Sequence, residues 1–215
     1  LDPDGGNLVV LHSFNTSDGA NPYAGVVLGL DGFLYGTAET GGTQSAGAIY
    51  KVDTSGNNFS VIHNFDGAND GGKPFGGVVI DGTTLYGVAH DDGANGFGTA
   101  FSIDTSGTPY TVVHVFGSLI ADGSSPHAGL LLAPDGRLYG TTEMGHNGSG
   151  LGTVFGMDAD GNNFATLHTF TGGADGQDPQ APLIEAVDGC LYGATIFGGL
   201  GPVGAACKLR PDGSA

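Results

Sequence analysis

Four near-copies of one phrase, "FLYGTAETGG" (33–42), "TLYGVAHDDG" (84–93), "RLYGTTEMGH" (137–146) and "CLYGATIFGG" (190–199), recur along 215 residues. Other blocks keep step with it. An apolar segment with one fixed histidine appears as "LVVLHSF" (8–14), "FSVIHNF" (59–65), "YTVVHVF" (110–116) and "FATLHTF" (164–170). A loop with Asp-Gly and then Pro follows, then a short apolar run, the Leu-Tyr-Gly phrase, and a last apolar block such as "GAIYKV" or "GTVFGM". From Leu1 to its equivalents Val52, Ile103, Met157 and Leu209 the steps are 51, 51, 54 and 52 residues. Four short strands per period, punctuated by turns, describe one small antiparallel sheet that cannot bury both its faces alone. Stacking such sheets around an axis solves that problem, which is the logic of a β-propeller.

The sequence therefore predicts an all-β, propeller-like array of four repeats, 1–52, 53–103, 104–157 and 158–209, with 210–215 opening the next repeat phase and 1–215 forming one repeat domain. No long stretch carries apolar residues at helical spacing. The histidine segment is separated from the next strand by the Asp-Gly-x-x-Pro loop. A sheet then spans the repeat boundary, taking three strands from one repeat and the histidine strand from the next. On that plan residues 8–14 would complete the last sheet and lock a four-bladed ring, the first choice. Half of a larger propeller and an open stack are the alternatives, since "RPDGSA" (210–215) repeats the phase of "DPDGGN" (2–7).

Charge narrows the partners. With 22 Asp and Glu against 5 Lys and Arg, the net charge of −17 repels phosphate backbones and anionic membranes. Nucleic acid is thus an unsuitable partner, and no apolar run reaches the length of a membrane span. Glycan, protein and self-association remain. The chain opens on Leu1 rather than Met, so the lack of a signal sequence does not argue against secretion.

The motifs resemble the secreted bacterial tandem-repeat proteins called GloVer-containing, often tied to a cell-surface anchor. The likeness rests on "DGFLYGT" (31–37), "DGRLYGT" (135–141), the Gly-Thr-Val-Phe segment at 152–155 and the "VVHVF" strand, and it extends over essentially the whole chain. The fourth copy departs most, with Cys190 before Leu-Tyr-Gly, "GAAC" in place of "GTVF", and an extra Pro182. The resemblance implies a secreted or surface location and no particular reaction.

Candidate chemistry divides into repeated and unrepeated residues. His12, His63, His114 and His168 share one repeat position, so a scaffolding role is expected, each imidazole lying between sheets and donating to a backbone carbonyl. Function is more plausibly sought in residues that do not repeat: Glu39, His90, Asp91, Asp92, Glu143 and His146 after the Leu-Tyr-Gly strands, and His127 in the third Pro loop, where Tyr23, Phe75 and Gln180 are equivalent. Loops at one end of a propeller converge, so these acids and bases could bind a cation or move protons; solvated loop residues are the plainer reading. Asp2 and Asp4, and Asp158 and Asp160, begin like a calcium loop but lack its later ligands, so turns explain them better. Calcium is the one cofactor these acidic turns suggest. Cys190 and Cys207, both in the last repeat, read either as a disulfide or as two buried thiols. The function expected is a surface structural or binding module without catalysis; the alternatives are a carbohydrate-active enzyme using one propeller mouth, and a subunit of a head-to-tail extracellular assembly.

Overall fold

The computed structural model describes residues 6–148, 150–201 and 203–214, with only the backbone of Asn147. Asp2 and Asp4 therefore lie outside the described residues. The chain forms four antiparallel sheets in sequence order. The first contains β1 (Val27–Leu28), β2 (Phe33–Ala38), β3 (Ala48–Asp53) and β4 (Phe59–Asn64). The second contains β5 (Val79–Asp81), β6 (Thr84–Ala89), β7 (Thr99–Asp104) and β8 (Tyr110–Val115). The third contains β9 (Leu131–Leu132), β10 (Arg137–Thr142), β11 (Thr153–Asp158) and β12 (Ala165–Thr169). The fourth has three strands, β13 (Ile184–Glu185), β14 (Leu191–Thr195) and β15 (Ala205–Leu209). As the repeat phase predicts, the outer strand of each of the first three sheets is the histidine segment of the following repeat. Among the described residues no helix is long and apolar enough to cross a membrane.

The core consists of seams between sheets. Tyr35, Ile49, Phe65, Leu85, Phe101 and Ile103 join the first sheet to the second. Tyr86, Ala100, Phe116, Leu138, Phe155 and Met157 join the second to the third. Tyr139, Val154, Phe170, Leu183, Leu191 and Leu209 join the third to the fourth. A closed four-bladed ring would need a fourth seam, and the described residues provide three. Residues 8–14 form no strand with β15, and Leu8, Val9 and Val10 are 75%, 67% and 69% exposed. Four-bladed closure is thereby corrected: the segment expected to lock the ring is held on the first sheet instead.

What holds it there recurs between the first and second sheets and between the second and third. His12 stacks on Phe59, His63 on Tyr110 and His114 on Phe164, with ring centroids 3.5, 3.9 and 3.9 Å apart and nearly parallel planes. The histidines do lie between sheets, but their partner is not a backbone carbonyl. Each Nε2 meets the carboxylate of the Asp in the following Asp-Gly loop: Asp18 at 3.1 Å, Asp70 at 2.7 Å, Asp122 at 3.1 Å and Asp175 at 3.1 Å. The same carboxylates accept the backbone N–H of Asn15, Asp66, Gly117 and Thr171. A carboxylate can take both bonds at once and a carbonyl could not pin the loop in this way.

The Leu-Tyr-Gly phrase has an equally local cause. The leucines of the second, third and fourth copies are buried. Tyr35, Tyr139 and Tyr192 donate to Asp31, Asp135 and Asp188 of the preceding turn at 2.7, 3.0 and 2.9 Å. The glycine of the phrase makes room for a side chain of the paired strand. Gly36, Gly87 and Gly140 sit opposite Tyr50, Phe101 and Phe155 on the paired strand, and those rings lie across them. The bulge falls one strand further out, at Ile62, Val113 and Leu167, where β4, β8 and β12 each carry one residue without a partner.

Sheet four lacks the ring. Cys207 stands opposite Gly193, whereas Cys190 precedes Leu191, which pairs with Leu209. The two thiols are thus out of register and unbridged, so the disulfide alternative fails. Cys207 sits near the Asp175 carbonyl, at 3.3 Å, and burial pushes its thiol pKa up.

These contacts predict unequal costs for one substitution. A methyl at Gly140 would lie 2.5 Å from the packed Phe155 ring, whereas at Gly193 it would meet the movable end of Leu183 at 2.8 Å. Gly140→Ala should cost about 1–3 kcal/mol by overpacking. Gly193→Ala should cost about 1 kcal/mol or less, because relief of the glycine's chain entropy offsets part of the contact. Urea unfolding of both variants measures the difference, and equal losses would contradict the assignment.

Candidate functional site at the axial groove

The N-terminal parts of the four inner segments converge on a groove of about 680 Å³. Its walls include Tyr23, Phe75, His127 and Gln180, the same repeat position in four successive units. Three of these are aromatic rings in a row: Tyr23 to Phe75 spans 5.8 Å, and Phe75 stacks on His127 at 4.8 Å and 14°. Tyr23 is 70% exposed, so the row begins in solvent.

His90 lies against this row, edge-on to Phe75 at 5.1 Å and to His127 at 5.6 Å. Both its nitrogens face carboxylates: Nδ1 is 2.5 Å from Asp91 and Nε2 is 3.1 Å from Glu143. With a carboxylate at each nitrogen, the clamp leaves the ring no nitrogen for a ligand. Lys73 donates to the other oxygen of Asp91 at 2.6 Å.

The local backbone explains why these side chains meet. The residue before each loop proline, Asn21, Lys73, Ser125 or Asp178, has φ between 52° and 60°. In the last three, its N–H bonds to a carbonyl of the preceding sheet's loop, Ala46, Phe97 or Leu151. In all four, its C=O accepts the N–H of Glu39, His90, Glu143 or Ile196. A left-handed residue thus ties two sheets together and fixes the position from which His90 and Glu143 project.

Burial sets the electrostatics. It resists ionisation of Asp91, but hydrogen bonds from Lys73 and His90 outweigh it and hold the carboxyl below its usual range. Lys73 is raised in turn, chiefly by its bond to Asp91. Burial lowers His127, and the nearby His90 adds to this. Burial raises Asp178, opposed by a bond from Gln180 and reinforced by the Glu143 charge.

Of the residues singled out in the sequence, His90, Asp91, His127 and Glu143 come together. Glu39 holds the equivalent position on the first sheet, 3.4 Å from the Asn21 amide. Asp92 lies in the loop, where its backbone bridges Phe97. His146 occupies a short 3-10 turn, His146–Gly148. Lys73 and Asp178 were missed; their signal was the unrepeated residue before a repeated proline. Asp158 accepts from Asn163 at 2.6 Å, and Asp160 from Asn162 at 2.8 Å, the pattern of turns. Among the described residues no group of three His, Cys, Asp or Glu could hold a metal ion.

A groove walled by aromatic rings on a propeller-like scaffold of repeated sheets is the class of structure these features define. The family model of the Gloeobacter/Verrucomicrobia repeat matches residues 1–207, and the chain belongs to that family. A search of curated proteins finds no match. Among solved structures, the chain is similar to one in a nidogen/laminin complex, with 21% identity over 87% of this chain and 60% of that chain and a TM-score of 0.57. It is also similar to TolB from Acinetobacter baumannii, with 18% identity over 99% of this chain and 45% of that chain and a TM-score of 0.59. Both neighbours are β-propeller-like, and this chain spans less than two thirds of either.

The half-buried Asp178 carboxyl yields a pH prediction. Because Asp178 is raised above 3.8 in the folded state, the folded chain holds its proton longer, and stability falls as pH rises through that window. Asp178→Asn removes the loss. Its Tm should exceed that of the parent by about 1–2 °C at pH 7, with the gap closing near pH 3, where the carboxyl is protonated in both states. A gap of the same size at both pH values would contradict this assignment.

Proposed function

We propose that this chain is a surface or extracellular binding module whose ligand, a neutral glycan or a protein segment, enters the axial groove along Tyr23, Phe75 and His127. The row of three rings at one repeat position carries the reading. Recurrent scaffold residues are buried or paired, whereas this position varies, faces the groove and offers flat apolar surface suited to stacking. Glu39, Glu143 and Asp178 make the mouth favourable for neutral or basic groups and hostile to phosphate. The nidogen structure, itself a complex with laminin, is one instance of such a fold engaging a protein.

A carbohydrate-active enzyme at the same mouth is the second reading, favoured by the raised Asp178 beside Glu143. It would require turnover that Asp178→Asn abolishes. The clamp on His90 supports binding over acid–base work, since both its nitrogens are engaged.

The test is a screen of neutral oligosaccharides and of lysine- and arginine-containing peptides by calorimetry. Phe75→Ala and His127→Ala should each weaken any hit about two- to tenfold, the scale of one lost stacking contact, with circular dichroism unchanged. Hits indifferent to both variants, or glycan hydrolysis by the parent protein, would overturn the binding-module reading.

A further inference from the structure

The left-handed residue before each loop proline holds one backbone place, and its side chain sets the charge of the junction it bridges. Lys73 and Asp178 are the two extremes. Each donates its N–H to a carbonyl of the preceding sheet's loop, Ala46 or Leu151, and each accepts the N–H of His90 or Ile196. Their φ angles are 52° and 60°, so the two side chains leave from equivalent points. Lys73 bonds Asp91 at 2.6 Å and feels the charge of Glu39 across the junction between the first and second sheets. Between the third and fourth sheets, Asp178 meets the charge of Glu143, the repeat equivalent of Glu39. One junction pairs a cation with carboxylates; the other sets two carboxylates together.

Among the described residues, no lysine or arginine acts on Asp178; the charged or titratable groups that do are Glu143 and His127. His90 takes one oxygen of Glu143 at 3.1 Å, and the Gln180 amide donates to one oxygen of Asp178 at 3.1 Å. The other oxygen of each has no hydrogen-bond donor among the described residues. Both side chains are half-buried, and they stand where the aromatic row ends: His127 stacks on Phe75 and feels both carboxylates. Two carboxylates held together away from bulk water favour a cation between them. A ring beside two acceptor oxygens suits a guanidinium in particular. Its planar face stacks on the ring, and its fork of N–H groups reaches the carboxylates. An ammonium matches the charge without the stacking, and a neutral sugar stacks but leaves the charges unpaired.

Resting on the groove reading above, we propose that the ligand is a protein segment that lays an arginine side chain on His127, its guanidinium bridging Glu143 and Asp178. The partner's arginine then supplies at this junction the positive charge that Lys73 supplies from within the chain at the first. The repeat equivalence explains why only one junction takes the ligand's charge. At the first junction Lys73 occupies the place, and at the second the facing residues are His90 and Ser125, with His90 already held by Asp91 and Glu143.

The probes are the peptide acetyl-Gly-Arg-Gly-amide and its citrulline counterpart, which keeps the shape of arginine without the charge. Each is titrated into isotope-labelled protein and followed by NMR. The arginine peptide should shift the resonances of Phe75 and His127 and bind about tenfold more tightly than the citrulline peptide, the scale of a hydrogen bond to a charged group. Asp178→Lys recreates the arrangement of Lys73 and should abolish that preference; Asp178→Asn should reduce it. The same backbone place carries Asn21, Lys73 and Ser125 in the other units, so both variants fit it. Equal binding of the two peptides, weakened alike by Phe75→Ala, overturns the arginine assignment and leaves the groove reading standing. Groove binding by neutral oligosaccharides and by neither peptide does the same. An arginine preference that Asp178→Lys and Asp178→Asn leave unchanged also overturns the assignment, since the charge would then be read elsewhere. Resonances of Phe75 and His127 that no peptide or oligosaccharide moves overturn the groove reading and this inference with it.

Discussion

The structure depends on one repeated pair. At all four repeat positions a histidine meets, through Nε2, the aspartate that opens the next loop, and between the first three sheets it also lays its face on an aromatic ring of the next sheet. That aspartate also takes a backbone N–H, so one carboxylate fixes the loop leaving the strand. The loop in turn carries the left-handed residue whose backbone bridges two sheets and aims the groove residues. A small sheet with apolar faces on both sides has no stability by itself; these contacts set how it stacks on its neighbour, and the aromatic seams supply the burial.

The groove follows from the scaffold. The scaffold specifies where the position of Tyr23, Phe75, His127 and Gln180 lies, and where that of Glu39, His90, Glu143 and Ile196 lies, but not which side chain stands there. Each copy can change these residues without touching a seam. The result is a groove with repeated backbone and unrepeated chemistry, aromatic along Tyr23, Phe75 and His127, with the clamped His90 beside that row.

The sheets, their order and the crossing of the repeat boundary were legible in the sequence because apolar blocks and turn residues are local signals repeated four times. The gathering of His90, Asp91, His127 and Glu143 was legible only as a tendency of loops to converge. Three matters were not legible. The partner of the repeated histidine is an aspartate six to eight residues on, hidden because the same Asp-Gly reads as an ordinary turn. The strand glycine faces a ring on a different strand, a relation that depends on cross-strand register and not on neighbouring residues. Closure of the ring depends on the angle between sheets, which no single repeat encodes.

The central claim is that histidine and aspartate act as one unit at each junction. A double-mutant cycle on His114 and Asp122, the most buried of the four pairs, tests it most directly, using His114→Phe, Asp122→Ala and the double variant in denaturant unfolding. A coupling of about 1–3 kcal/mol is predicted, the size found for residues within one buried hydrogen-bonded pair. Losses that simply add, leaving no coupling, would mean the two side chains pack independently and that something else sets how the sheets stack.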